Sequence, residues 1–137
     1  MSPAPVVHVV GDEKAVRHAV SLLFGLGHEV SCWSSAAQFL AGPIPGPEDT
    51  ILLDLDISGM PAFDMIERLR AWDVATPVIT IAGLNERRAE SELIAGGAVW
   101  VLWRPFGSNE LQRALTIAQA SGMRLRRALG GEAGMGV

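Results

Sequence analysis

The stretch TILLDLDISGM, residues 50–60, decides the fold. Its apolar run carries two carboxylates, Asp54 and Asp56, to the end of the segment and then breaks into a Ser-Gly loop. A short apolar run closed by turn residues has the pattern of a strand buried on both faces, as in a parallel sheet. Asp54 at the end of such a strand is a candidate nucleophile, a candidate metal ligand, or the remnant of one.

Outward from this strand the same pattern recurs. VVHVV (6–10) reads as a strand, and a helix follows it. Asp12 is a good N-cap, Val16, Ala19, Val20, Leu23 and Leu26 recur at helical spacing, and Gly25 and Gly27 supply the stop. HEVSCW (28–33) is a second strand; Ser34 or Ser35 then caps a short helix through Leu40, which the Pro/Gly loop GPIPGPEDT cannot continue. TILLDLD is the third strand, Ala62 to Arg70 a helix, PVITIA (77–82) the fourth strand, Glu86 to Ala95 a helix, and AVWVLW (98–103) the fifth strand. A last helix starts near Ser108 with Leu111, Ala114, Leu115 and Ala118 on one face. Five strands separated by helices require right-handed crossovers and a doubly wound α/β domain with a parallel sheet. Residues 1–122 form that single domain, and 123–137 are the helix end and a flexible Gly-rich tail.

Composition narrows the function. At 137 residues the chain suits one core, which buries about two thirds of the unfolded surface. With 49% hydrophobic residues and a net charge of −4 it is neither a disordered chain nor a partner for a phosphate backbone, so no nucleic acid is expected. The lone Cys32 cannot form an internal disulfide, no secretory signal opens the chain, and no apolar run is long enough to span a membrane; a cytoplasmic setting is expected. Ligands of doubly wound sheets sit outside the carboxyl ends of the strands, where Gly11, Asp12, Asp54, Ala82 and Arg104 converge. The GDEKAV segment after strand one has too few glycines for a dinucleotide or Walker loop.

In order and at matching spacing, the segments VVHVVGDEKAVRHAVSLLFGLGHEV, SSAAQFLAG, ILLDLDISGMPAFDMIERLR, PVITIAGLNERRA, AGGAVWVLWRPF and NELQRAL resemble the receiver domain of bacterial response regulators, the two-component signalling proteins, especially the nitrogen-fixation type. The resemblance covers residues 6 to about 118. It implies a flavodoxin-like fold of strand order 2-1-3-4-5 and a phosphorelay role, with Asp54 at the phospho-acceptor position. It further implies that Asp12, with Asp54 and the backbone at Asp56, holds Mg²⁺ against the phosphoryl oxygens. Fixed cations and donors are needed there because a phosphoryl group in flight carries dispersed negative charge.

Three pocket positions depart from the family. Gly11 replaces an acidic residue, Ala82 a hydroxyl residue, and Arg104 a lysine. The missing carboxylate makes the Mg²⁺ site weak or lost, and restoring it with Gly11→Asp is expected to strengthen the metal. Arg104 keeps a charge but has a longer planar fork, and either meets an incoming group or pairs permanently with Asp54 or Asp12. Thr80, two residues back along its strand, cannot replace the lost hydroxyl. Val101 stands at the family's aromatic switch position, between Trp100 and Trp103. These departures describe a degenerate receiver, a pseudo-receiver rather than an enzyme, whose output is a protein contact.

Several residues have simpler readings. His8 is a hydrogen-bonded core histidine, His18 and His28 surface residues, Lys14 a solvated cation, and Arg124, Arg126 and Arg127 cations at a helix end. Trp100 and Trp103 point to opposite faces of an edge strand, so at least one is an interface residue on the face of helix four, strand five and helix five. The expected partners are a sensor histidine kinase or other signalling protein, or a second copy through that face. The nearness of the chain's end to the last helix suggests a stand-alone module. The alternatives are a phosphorylation-competent single-domain regulator and, remotely, a haloacid-dehalogenase-type phosphatase, whose D-x-D-x-[ST] pattern matches DLDIS.

Overall fold

A computed structural model describes residues 5–55, 60–83 and 90–128. The elements run β1 (Val6–Val10), α1 (Glu13–Gly25), β2 (Glu29–Trp33), α2 (Ala36–Ala41), β3 (Thr50–Asp54), α3 (Ala62–Ala71), β4 (Val78–Ala82), α4 (Glu90–Ala95), β5 (Trp100–Trp103) and α5 (Ser108–Ala128). The strands form one parallel sheet in the order β2-β1-β3-β4-β5, as expected for a doubly wound domain.

Alternation along the strands explains why the sheet needs helices on both faces. Leu52, Ile79, Ile81 and Leu102 pack with Ala19 and Leu23 of α1 and Leu111, Ala114 and Leu115 of α5. Ile51, Leu53, Val78, Ala82 and Val101 point the other way, against Phe39 of α2 and Met65, Ile66 and Leu69 of α3. β3 is buried at all five residues, and each such Ile or Leu contributes about 1.5 to 3 kcal/mol.

Local chemistry sets the helix ends. Ser35, not Ser34, caps α2, its hydroxyl accepting the Gln38 N–H at 3.1 Å. α1 stops where Gly27 takes φ 82° and the Gly27 and His28 amides bond back to Phe24 and Leu23. β3 ends at Asp54, short of the expected Asp56, because Leu55 turns out of the strand; Asp56 lies outside the described residues. The expected helix start at Glu86 also lies outside them. β5 begins at Trp100 rather than Ala98, although the Val99 N–H already reaches the Val78 carbonyl at 2.9 Å.

Candidate functional site

The carboxyl ends of β1, β3, β4 and β5 meet at one corner. Asp54, the last residue of β3, is 3% exposed. Arg104 follows β5 directly, its backbone N–H held by the Ala82 carbonyl at 2.9 Å. Its guanidinium Nη2 lies 3.0 Å from Asp54 Oδ2, and the Arg104 side chain is one-third exposed. Of the two partners that the sequence left open for Arg104, Asp54 is the one within ion-pair distance. The cleft, of about 390 Å³, is lined by Asp12, Lys14, His18, Asp54 and Arg104, with Ile81, Pro105 and Phe106 as its apolar wall.

Gly11 is placed where the backbone of β1 passes Asp54. A Cβ there would stand 2.9 Å from the Asp54 Cβ and 3.4 Å from its Oδ2. An aspartate at position 11 therefore requires Asp54 or the strand end to shift before the two carboxylates can face one ion. Ala82 is fully buried against the α2 and α3 core. Thr80 is also fully buried, and its Oγ1 has no hydrogen-bond partner among the described residues.

The donor set fits Mg²⁺ poorly. A hard dication needs near-octahedral oxygens, usually one or two carboxylates with phosphate and water. Here Asp12 is exposed, and Asp54 Oδ2 already faces a guanidinium cation. Among the described residues no group of three or more His, Cys, Asp or Glu could hold a metal ion. Asp56, the third expected contributor, lies outside the described residues.

Two residues read from sequence as surface groups are indeed exposed, and they also belong to the corner. Lys14 and His18 both line the cleft. His18 Nε2 is 3.1 Å from the Phe106 carbonyl and its ring leans on Phe106 at 5.1 Å. Their i, i+4 spacing on α1 was the available signal, since residues so spaced share a helix face.

The tryptophans separate. Trp103 packs against the α2 and α3 core, whereas Trp100 is 39% exposed beside a groove between α4 and α5. His8 is the expected hydrogen-bonded core histidine, bound to Asp49 at the far end of the sheet.

An order-2-1-3-4-5 parallel sheet with a buried carboxylate ending its middle strand, and a cation ending its edge strand beside it, defines a receiver-type signalling domain. The response regulator receiver domain family model matches residues 7–116, and the chain belongs to that family. Nodulation protein W of Bradyrhizobium diazoefficiens is 29% identical over 128 residues, covering 93% of this chain and 56% of that protein. The tetrathionate response regulatory protein TtrR of Salmonella typhimurium is 30% identical over 120 residues, covering 84% of this chain and 58% of that protein. The crystal structure of FixJ-N superposes with a TM-score of 0.75 at 26% identity, covering 87% of this chain and 96% of that one. The chain thus spans little more than half the length of these curated relatives. Receiver domains are signalling rather than enzymatic modules in general, and histidine kinases are their usual partners. No helix of the described residues is long and apolar enough to cross a membrane.

Proposed function

We propose that this receiver works in the cytoplasm as a phosphorylation-independent signalling module, its pocket held in one state by Arg104 and its output made by protein contact. The observation that carries this reading is the 3.0 Å approach of Arg104 to a 3% exposed Asp54. In a phosphorylatable receiver, the attacking carboxylate needs a metal against one oxygen and a lysine and hydroxyl waiting for the phosphoryl group. Here a guanidinium stands against that carboxylate, an alanine replaces the hydroxyl, and glycine replaces the first metal ligand. The charge that phosphorylation chemistry would have to recruit is already supplied from within. Mg²⁺ then binds weakly at most, and a contact with a histidine kinase is docking without transfer.

The α4-β5-α5 face supports the second half of the reading. Val101 has no ring to move, and the exposed ring is the neighbouring Trp100. Such a surface presents the same shape in every state of the pocket.

The test is incubation with Mg²⁺ and a small phospho-donor, read by intact mass, with Asp54→Ala as control. The expected result is no phosphoryl adduct. A stoichiometric adduct that disappears in Asp54→Ala would establish a phosphorylation-competent regulator instead.

A further inference from the structure

His8, in β1, is 8% exposed, and both of its ring nitrogens have partners. Nε2 is 2.9 Å from Asp49 Oδ2, and the Trp33 indole Nε1 is 3.4 Å from Nδ1. An indole N–H can only donate, so Nδ1 accepts and the single proton of the neutral ring lies on Nε2, toward the carboxylate. A second proton must therefore enter at Nδ1, where it meets the indole N–H head-on with no lone pair between the two donors. Protonation of His8 and its contact with Trp33 exclude each other.

Which partner gives way follows from what holds each side. A positive ring strengthens the hydrogen bond to Asp49, because both ends then carry charge. Asp49 is itself anchored, its Oδ1 accepting the Val6 N–H and its Oδ2 the Gly46 N–H, each at 2.9 Å. The Trp33 ring is held less firmly. It ends β2, an edge strand, and is half-buried. It meets Phe39 edge-on at 5.8 Å and lies against Gly42, the C-cap of α2, where even a Cβ would come within 2.8 Å of the indole. The Trp33 carbonyl separately accepts the Gly11 N–H at 3.0 Å, so the strand end stays in place when the ring turns.

We propose that His8 is a proton-operated catch for Trp33: the neutral ring holds the indole against α2, and its protonation, with the imidazolium kept in place by Asp49, frees it. This device goes beyond the Arg104 corner and does not rest on it. Among the described residues Asp49 is the titratable group bonded to the ring. β2 faces it with Trp33 and Ser31, α2 with Phe39 and β3 with Ile51, none of which changes charge near neutrality. Burial raises the neighbouring Cys32 thiol, which stays neutral as well. Release of the indole uncovers Phe39 and Gly42 beside Ile44 and Trp72, which line the same recess and are already 71% and 50% exposed. The apolar surface at the α2–α3 end thus grows as pH falls.

The full chain, labelled with ¹⁵N, is titrated from about pH 8 to about pH 5, a span in which histidine ordinarily changes charge and carboxylates stay ionised. The Trp33 indole N–H resonance, assigned by its loss in Trp33→Phe, should move to the position and water-exchange rate of a free indole. Its midpoint should coincide with that of the His8 imidazole ¹⁵N shifts, while far-UV circular dichroism and the other indoles stay unchanged. In His8→Gln, which takes no proton, the Trp33 signal should be flat. In Trp33→Phe, where no donor opposes the second proton, the His8 midpoint should rise by about half a pH unit; this arm decides if His8→Gln does not fold. A Trp33 resonance that stays in place while His8 protonates overturns the proposal, as does a His8 ring that takes no proton above about pH 5. A transition that persists in His8→Gln, a His8 midpoint unmoved in Trp33→Phe, or loss of the circular dichroism at the same midpoint overturns it equally.

Discussion

Asp54 is buried at the end of β3 and its charge is met by Arg104 at 3.0 Å. Breaking one side of a buried pair costs more than the pair contributes, because the remaining charge stays in a poor solvent. Arg104→Ala is therefore expected to destabilise the domain by about 1 to 3 kcal/mol, the lower end reflecting the one-third exposure of the Arg104 side chain. Adding Asp54→Asn to that variant should restore most of the loss, measured as urea midpoints in a double-mutant cycle. An unchanged midpoint in Arg104→Ala would show that the guanidinium is solvated and the pocket unlocked. Gly11 belongs to the same corner: Gly11→Ala places a Cβ 2.9 Å from that of Asp54 and should cost about 1 to 3 kcal/mol as overpacking. Wild-type stability in that variant would mean that β1 yields easily there.

Among the elements, β4 and the β1–β3 end carry groups whose chemistry is separable from the pocket. Thr80 Oγ1 in β4 is buried without a hydrogen-bond partner among the described residues, so none of them compensates its desolvation. Thr80→Val should raise stability by about 1 kcal/mol, and a loss of similar size in thermal unfolding would reveal a partner for the hydroxyl. At the opposite end of the sheet, Asp49 ties three segments together. Its Oδ1 accepts the Val6 N–H at 2.9 Å, and its Oδ2 meets the Gly46 N–H and His8 Nε2, each at 2.9 Å. The Trp33 indole N–H points at His8 Nδ1 at 3.4 Å; an indole only donates, so the proton of the neutral ring sits on Nε2, facing Asp49. Burial raises the Asp49 carboxyl, but these hydrogen bonds outweigh it and hold the group below the ordinary carboxylate range. A depressed folded value means that the contribution is present above the unfolded value and fades as pH falls through the folded one. The stability gap between wild type and Asp49→Asn should therefore be full at neutral pH and narrow below about pH 4. A gap that stays constant down to about pH 2 would place the Asp49 effect in shape rather than charge.

For the whole molecule, the two tryptophans of β5 predict opposite outcomes. Trp103→Ala removes a ring packed on the α2 and α3 core and should cost about 2 to 4 kcal/mol in denaturation. Trp100→Ala should leave the denaturation midpoint nearly unchanged while weakening partner capture at least about tenfold. The reverse pattern would move the interface away from β5. Period-two alternation showed that the rings face opposite ways, but which one stays outside depends on which helices cover each face. The sequence by itself determined the doubly wound sheet, because unbroken apolar runs such as TILLD can be buried on both faces only between two helix layers. It also determined the corner where Asp54, Gly11, Ala82 and Arg104 meet, because that corner follows from strand ends. Tertiary structure alone decided that Arg104 meets Asp54 rather than Asp12, that a side chain at Gly11 would crowd Asp54, and that Asp49 clasps His8 across 41 residues of chain. These are distances between side chains brought together from separate segments, and no local periodicity encodes them.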